Sequence, residues 1–288
     1  MQIWVNGLIS GASIALLALA FQAVYLPTRV FFIALAGIYA AVPFVALSLL
    51  DATGTWWLTA PVAVMAGLSL SLVAERAIHL PLEKKGAASG AQLIASLGAY
   101  IVIVQAVAMI WGNDPKSLRR GLDSVSHLGS VIVTGAQWVS LIGATAAIGA
   151  FLIFLRRSDL GLRLRALADN PLQFALYGHN VHRYRLLSFA VAGALASIAA
   201  LVSAYDLGFD AHTGLHAILL AVVAVIIGGR STFIGPVVGG LILGLLRSQV
   251  VWHMSARWQE AVSFGLLAVV LILFPHGLLG RRQRLEAE

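Results

Sequence analysis

Few residues in this chain have the type and spacing that chemistry requires. His212 and His216 stand four apart with Asp206 and Asp210 close by, an imidazole and carboxylate set of the kind that can hold a divalent cation. Two histidines at helical spacing are a weak signal, and these fall at the outer boundary of an apolar run, so no metal site is expected. The phosphate-cradling pattern G-x-x-x-x-G-K-[ST] is absent, so the chain is not expected to bind and hydrolyse ATP itself. H-E-x-x-H and G-x-S-x-G are absent too, and there is no cysteine. No catalytic, cofactor-binding or metal-binding residue is therefore assigned.

Carboxylates are informative by their position. All twelve Asp and Glu lie in loops or near the ends of apolar segments, as Glu75, Asp206 and Glu260 do. Ion- and proton-coupled transporters usually keep an ionisable group at mid-membrane, and none is expected here. The buried polar positions are expected to be neutral. Ser10, Ser13, Gln22, Ser96 and Gln105, with Gly37 among them, form a candidate translocation path. The competing reading is that these groups bond between helices or back to their own backbone. Energy for uphill transport must then come from another polypeptide.

The segment Arg156–Arg185 offers the place to apply it. It carries six of the nineteen basic residues, and burying six arginines at helix centres would cost on the order of 15–20 kcal/mol. The segment therefore stays in water, on the side that keeps positive charge, which is the cytoplasm. Ser158 is expected to cap a helix carrying Leu160, Leu164 and Leu167, with Gly161, Arg163 and Arg165 beside them. A second helix follows, capped by Asn170, with Pro171 at its first position, Gln173 placed for a capping box, and Leu172 and Leu176 on it. Gly178 supplies a left-handed stop. A merely solvated charge run is one reading and a docking platform for a cytoplasmic partner is the other; leucines repeated in a polar loop favour the platform.

The elements around this segment follow from composition. At 288 residues, 60% hydrophobic and 11% charged, with a mean hydropathy of +0.91, the chain reads as a polytopic all-α integral membrane protein. The net charge of +7 is explained by topology and anionic lipid, because the basic residues cluster at the ends of apolar runs; no nucleic-acid partner is implied. About eight to nine membrane helices are expected, some short or broken, over roughly 7–26, 30–50, 57–75, 91–111, 136–155, 186–204, 216–229, 235–251 and 259–275. Pro43 and Pro61 mark places for kinks. No Lys or Arg precedes the first run and Arg29 follows it, so an uncleaved first helix with its N-terminus outside is expected.

That orientation places Arg29, Arg76, Lys84, Lys85, the six segment arginines, Arg230, Arg281, Arg282 and Arg284 in the cytoplasm, fourteen in all. Only Lys116, Arg119, Arg120, Arg247 and Arg257 remain outside, five in all, which obeys the positive-inside bias and leaves the C-terminus cytoplasmic. The external stretch 112–135 is polar and turn-rich. Nothing marks a soluble domain, so residues 1–288 read as one transmembrane domain. Glycines four apart, Gly7 with Gly11, Gly235 with Gly239 and Gly240 with Gly244, predict close helix packing.

These ordered features resemble the LivH-type permease subunits of branched-chain amino acid ABC importers. Glu75-Arg76 with Pro81-Leu82 is similar to the family's E-R-x-x-x-R-P-L, and Leu93–Gly98 with Gln105 and Trp111-Gly112 to its L-I-A-T-x-G…Q…W-G helix. Ser158 to Asn180 resembles its cytoplasmic loop, Gly228-Gly229 through Gly244 its glycine ladder, and Phe274–Arg281 its P-x-G-L-x-G-R ending. The resemblance implies a bacterial inner-membrane half-channel paired with a second, LivM-like permease. It further implies two cytoplasmic ATPase subunits that hold ATP and Mg, with no cofactor on this chain, and a periplasmic solute-binding protein outside. The loop from Leu160 to Gly178 would be the element that couples to the ATPase. Leu80 replaces the last arginine of the first motif, Ile33-Ala34-Leu35-Ala36-Gly37 replaces a polar N-F-A-H-G, and Arg247 replaces a glutamate. The expected solute is thus a branched-chain amino acid or a related, more apolar compound. A stand-alone secondary transporter or channel for a small neutral solute is the rival reading, and the secondary transporter would need an ion-coupling site.

Overall fold

Twelve α-helices and one short hairpin account for the described residues of the computed structural model, which are 1–119, 124–128 and 131–280. The helices are α1 (Gln2–Thr28), α2 (Ala34–Thr53), α3 (Trp56–Ala74), α4 (Leu80–Lys84), α5 (Ser89–Trp111) and α6 (Gly135–Arg157). Then come α7 (Asp159–Asp169), α8 (Pro171–Leu176), α9 (Val181–Leu207), α10 (Thr213–Gly228), α11 (Gly235–His253) and α12 (Gln259–Leu273). Eight helical stretches are long and apolar enough to cross a membrane, and α10 is a shorter ninth of 16 residues. The polytopic all-α reading therefore holds, with the span between residues 56 and 84 broken by a π-helical turn at Glu75–His79.

Helix α1 is the axis of the bundle. Its stretch Ala15–Val24 is buried on every face, and α9, α10 and α11 pack around it. Its closest neighbour is α11, where a Cβ on Gly240 would overlap the backbone of Ala15 and one on Gly244 the backbone of Gly11. Without a hydrophobic drive between helices in lipid, this backbone proximity is what dispersion needs. By contrast α3, α5, α6 and α12 show broad apolar faces outward, including Trp57, Ile94, Met109 and Ile272.

Cross-chain bonds define two ends. At one, Gln2 bonds both backbone groups of Ile132 at 2.8 Å, Lys116 pairs with Phe209, and the Trp111 indole donates to Ser48 at 2.7 Å. The expected external stretch contains an antiparallel hairpin here, Val125–Leu128 with Val131–Thr134, and Val131 and Val133 pack on Ile9. Thr134 and Gln137 close a capping box on α6. All seven tryptophans, Trp4, Trp56, Trp57, Trp111, Trp138, Trp252 and Trp258, sit at this end, as an interfacial belt requires.

At the opposite end the carbonyls of Ile227 and Gly228 accept from Leu278 and Leu279 at 2.9 and 3.0 Å. The glycine-rich ending thus caps α10. Gly277, at φ +79°, makes the turn and lies against the backbone of Gly229. Arg120, Arg281, Arg282 and Arg284, counted in the charge balance, lie outside the described residues.

Candidate functional site

The arginine segment folds as two helices, as its capping residues dictate. Ser158 occupies the cap position of α7 in extended conformation, but its side chain makes no cap bond; its carbonyl instead accepts from Leu162 at 2.9 Å. Asn170 caps α8, its Oδ1 accepting from Leu172 and Gln173 at 3.1 and 3.0 Å, with Pro171 at the first position. Gly178 follows at φ +80°. Gly161 is buried where a Cβ would overlap the Phe154 carbonyl, so α7 doubles back on the end of α6.

Burial divides the leucines of this segment and corrects one expectation. Leu164 and Leu167 are 0% and 1% exposed, so they anchor α7 within the chain and cannot press into a partner. The outward apolar surface is made by Leu160, Leu162, Leu172, Leu176 and Tyr177 instead. Arg163 is exposed, Arg165 half-buried. A helix lying on a bundle buries the stripe at i, i+3 that faces it, and spacing alone does not say which side that is.

A second correction concerns charge. Arg185 does not stay in water: it is 4% exposed, and its guanidinium pairs with Glu75 and with Glu83. The Nη2–Oε2 contact to Glu75 is 3.4 Å, and Glu75 is fully buried. Buried carboxylate and guanidinium are tolerated together because each neutralises the other, whereas either alone would not be. The π-helical turn brings Glu75 and His79 onto the α9 side, and His79 packs against the mutually touching rings of Phe32 and Phe189. This cluster joins the first turns of α9, which leave the two-helix segment, to the α3–α4 span. Sequence reasoning missed it; the signal was an Arg opening an apolar run in a chain with few carboxylates near such runs.

The predicted path residues do not share one surface. Ser10 and Ser13 line a cavity of about 440 Å³, within the range of small-molecule sites. The Ser96 hydroxyl instead accepts from the Ala34 N–H at 2.9 Å and so serves the start of α2. Gln22 donates to the carbonyls of Arg230 and Thr232 at 2.8 and 3.1 Å, fixing the turn before α11. Gly37 lets Ile103 of α5 approach, and Gln105 is exposed on the outer face of α5. Bonding partners, not residue type, decided these roles.

Residues outside the predicted path complete the cavity. Asn6, Tyr39, Gln137, Ser203, Asp206, Thr213, His216 and Arg247 line it, from six helices that meet in the tryptophan-bearing half. Arg247 reaches Gln259 Oε1 at 3.3 Å, and His216 faces Glu260 at 3.5 Å. Asp210 accepts from the N–H groups of His212 and Thr213 at 2.7 and 2.9 Å, capping α10. No metal-holding cluster of His, Cys, Asp or Glu exists among the described residues. Toward the opposite end the cavity stops where α1 becomes wholly buried, at Leu17 and beyond.

Comparison with known proteins matches residues 3–271 to the family described as branched-chain amino acid transport system, permease component. The chain is 27% identical over 296 residues to the high-affinity branched-chain amino acid transport system permease protein LivH of Escherichia coli K12, covering 98% of this chain and 96% of that one. It is 26% identical, with the same coverage, to the corresponding protein BraD of Pseudomonas aeruginosa. A solved structure of PsaBC from Streptococcus pneumoniae in complex with Fab shares the fold, with a TM-score of 0.53 at 13% identity over 94% of this chain and 91% of that one.

Proposed function

This chain belongs to the branched-chain amino acid transport system permease family, and on that premise we propose that it is the membrane-spanning subunit of an ATP-binding-cassette importer. It moves a branched-chain amino acid or a related small solute inward across the bacterial inner membrane. ATP with its Mg is bound and hydrolysed on two separate cytoplasmic subunits. A second, LivM-like permease completes the channel, and a periplasmic binding protein delivers solute to the tryptophan-bearing end. The N-terminus lies outside and the C-terminus in the cytoplasm, which gathers the described Arg29, Arg76, Lys84, Lys85, Arg230 and the segment arginines on the inner side.

The observation that carries this reading is the construction of the α7–α8 segment. Its inner leucines are locked in the bundle, its outer ones are bare, and Arg185 ties its exit to a second span. A push on the outer face would therefore move helices and not merely a loop. The serine-lined cavity, open in the outer half and closed below, is the solute chamber in an outward-facing state.

The test is co-purification. Leu172→Asp with Leu176→Asp, both at exposed positions, should leave the permease folded and strip the ATPase from the detergent-solubilised complex. Leu164→Asp should instead unfold the permease, because it buries a charge. Full retention of the ATPase by the double variant would overturn the coupling role. Transport by this chain alone in ATP-free liposomes would establish a secondary transporter.

A further inference from the structure

A pocket of about 440 Å³ lies where α7 begins and α9 enters the bundle, and its walls change character along its length. One part is apolar, made by Leu160 and Leu187. The lining also includes two basic residues, Arg163 and Arg183, and Tyr184. Leu187 is six residues into the apolar span that starts at Val181, so it sits about 9 Å deeper than the helix start. The pocket thus lies at the start of an apolar span, with Leu187 on the side toward the interior of that span.

One of the two guanidinium groups, that of Arg163, is held in place. Arg163 Nη1 donates to the Tyr184 hydroxyl at 2.7 Å. Phe174 meets the Tyr184 ring edge-on at 5.2 Å and stacks on His179 at 4.8 Å, which fixes the phenol. Asn180 caps α9 by accepting from the Arg183 N–H at 3.3 Å. Neither Arg163 nor Arg183 forms a salt bridge among the described residues, in contrast to Arg185 on the first turns of α9.

We propose that this pocket is a binding site for one anionic phospholipid of the leaflet facing the α7–α8 segment, with its phosphate between Arg163 and Arg183 and an acyl chain along Leu160 and Leu187. Guanidinium pairs match phosphate oxygens in geometry as well as charge, and basic pockets beside membrane helices select anionic headgroups. The apolar wall is the reason to assign a lipid over a soluble phosphate or an acidic protein side chain, neither of which has a use for it. Occupancy would brace α7 against α9 at the point where the two-helix segment meets the membrane.

Native mass spectrometry of the full chain, taken from nanodiscs of mixed phosphatidylglycerol and phosphatidylcholine, tests this. The wild type should retain one phosphatidylglycerol after delipidation. Arg163→Ala with Arg183→Ala should bind it about thirtyfold more weakly, at about 1 kcal/mol for each basic residue, with phosphatidylcholine unchanged. The double lysine variant should recover most of the binding, which separates loss of charge from loss of fold. Equal retention by the wild type and the alanine variant overturns the proposal. Displacement of the lipid by millimolar inorganic phosphate reassigns the site to a soluble anion. Unchanged lipid with loss of the ATPase from the assembled importer reassigns it to an acidic partner surface. The lipid measurement itself needs no ATPase, so its failure is distinguishable from failure of the coupling role.

Discussion

Replacing Arg185 by methionine isolates a charge that the fold otherwise neutralises. The Glu75 side chain is 1% exposed, whereas that of Glu83 is 36% exposed and rehydrates more easily. Losing Arg185 therefore strands Glu75, and breaking such a buried pair from one side costs about 3–5 kcal/mol. That corresponds to roughly two to almost four decades in the folded-to-unfolded ratio. Glu83→Gln removes only the partly exposed arm of the same cluster and should cost under about 1 kcal/mol. Glu75→Leu combined with Arg185→Met removes both buried charges and should recover most of the loss. The assay is unfolding in mixed micelles of rising SDS fraction, followed by tryptophan fluorescence. The expected order is Arg185→Met far below Glu83→Gln, with the double variant between them. Equal midpoints for Arg185→Met and Glu83→Gln would show that the pair is solvated and that the segment is not tied to the α3–α4 span.

Two further tests address the packing that positions the site. Ser96→Ala leaves the buried Ala34 N–H without its acceptor and should cost about 1–3 kcal/mol in the same titration, so an unchanged midpoint would remove Ser96 from the start of α2. Gly244→Leu should drive α11 off α1, since even a Cβ there overlaps Gly11. Cysteines placed at Ile3 and Ser248, where the serine hydroxyl now reaches the Ile3 carbonyl at 2.7 Å, should cross-link in an otherwise cysteine-free chain and fail to do so when combined with Gly244→Leu. A cross-link that persists in the combined variant would refute the close approach.

The periodic and additive features of this protein were legible from the residues in order. Hydropathy summed over a membrane thickness located the spans, because each backbone segment must satisfy its own hydrogen bonds in lipid. Asn170, Pro171 and Gly178 marked the ends of α8, because capping is a matter of neighbours within a few residues. The tryptophan belt was present in the sequence as well, at the ends of the apolar runs, and went unread.

Tertiary structure decided what depends on partners far along the chain. Glu75 and Arg185, 110 residues apart, looked like two members of solvated loops until the π-helical turn and α9 brought them together away from water. Leu164 and Leu172 are the same residue type on adjacent helices, yet the bundle covers one and leaves the other 72% exposed. Ser96, Gln22 and Ser13 are all neutral side chains able to donate and accept, but only the last faces a cavity, since the first two are spent on backbone groups of other segments. Sequence determines what a side chain can bond to, and burial in a close-packed bundle determines what is within its reach.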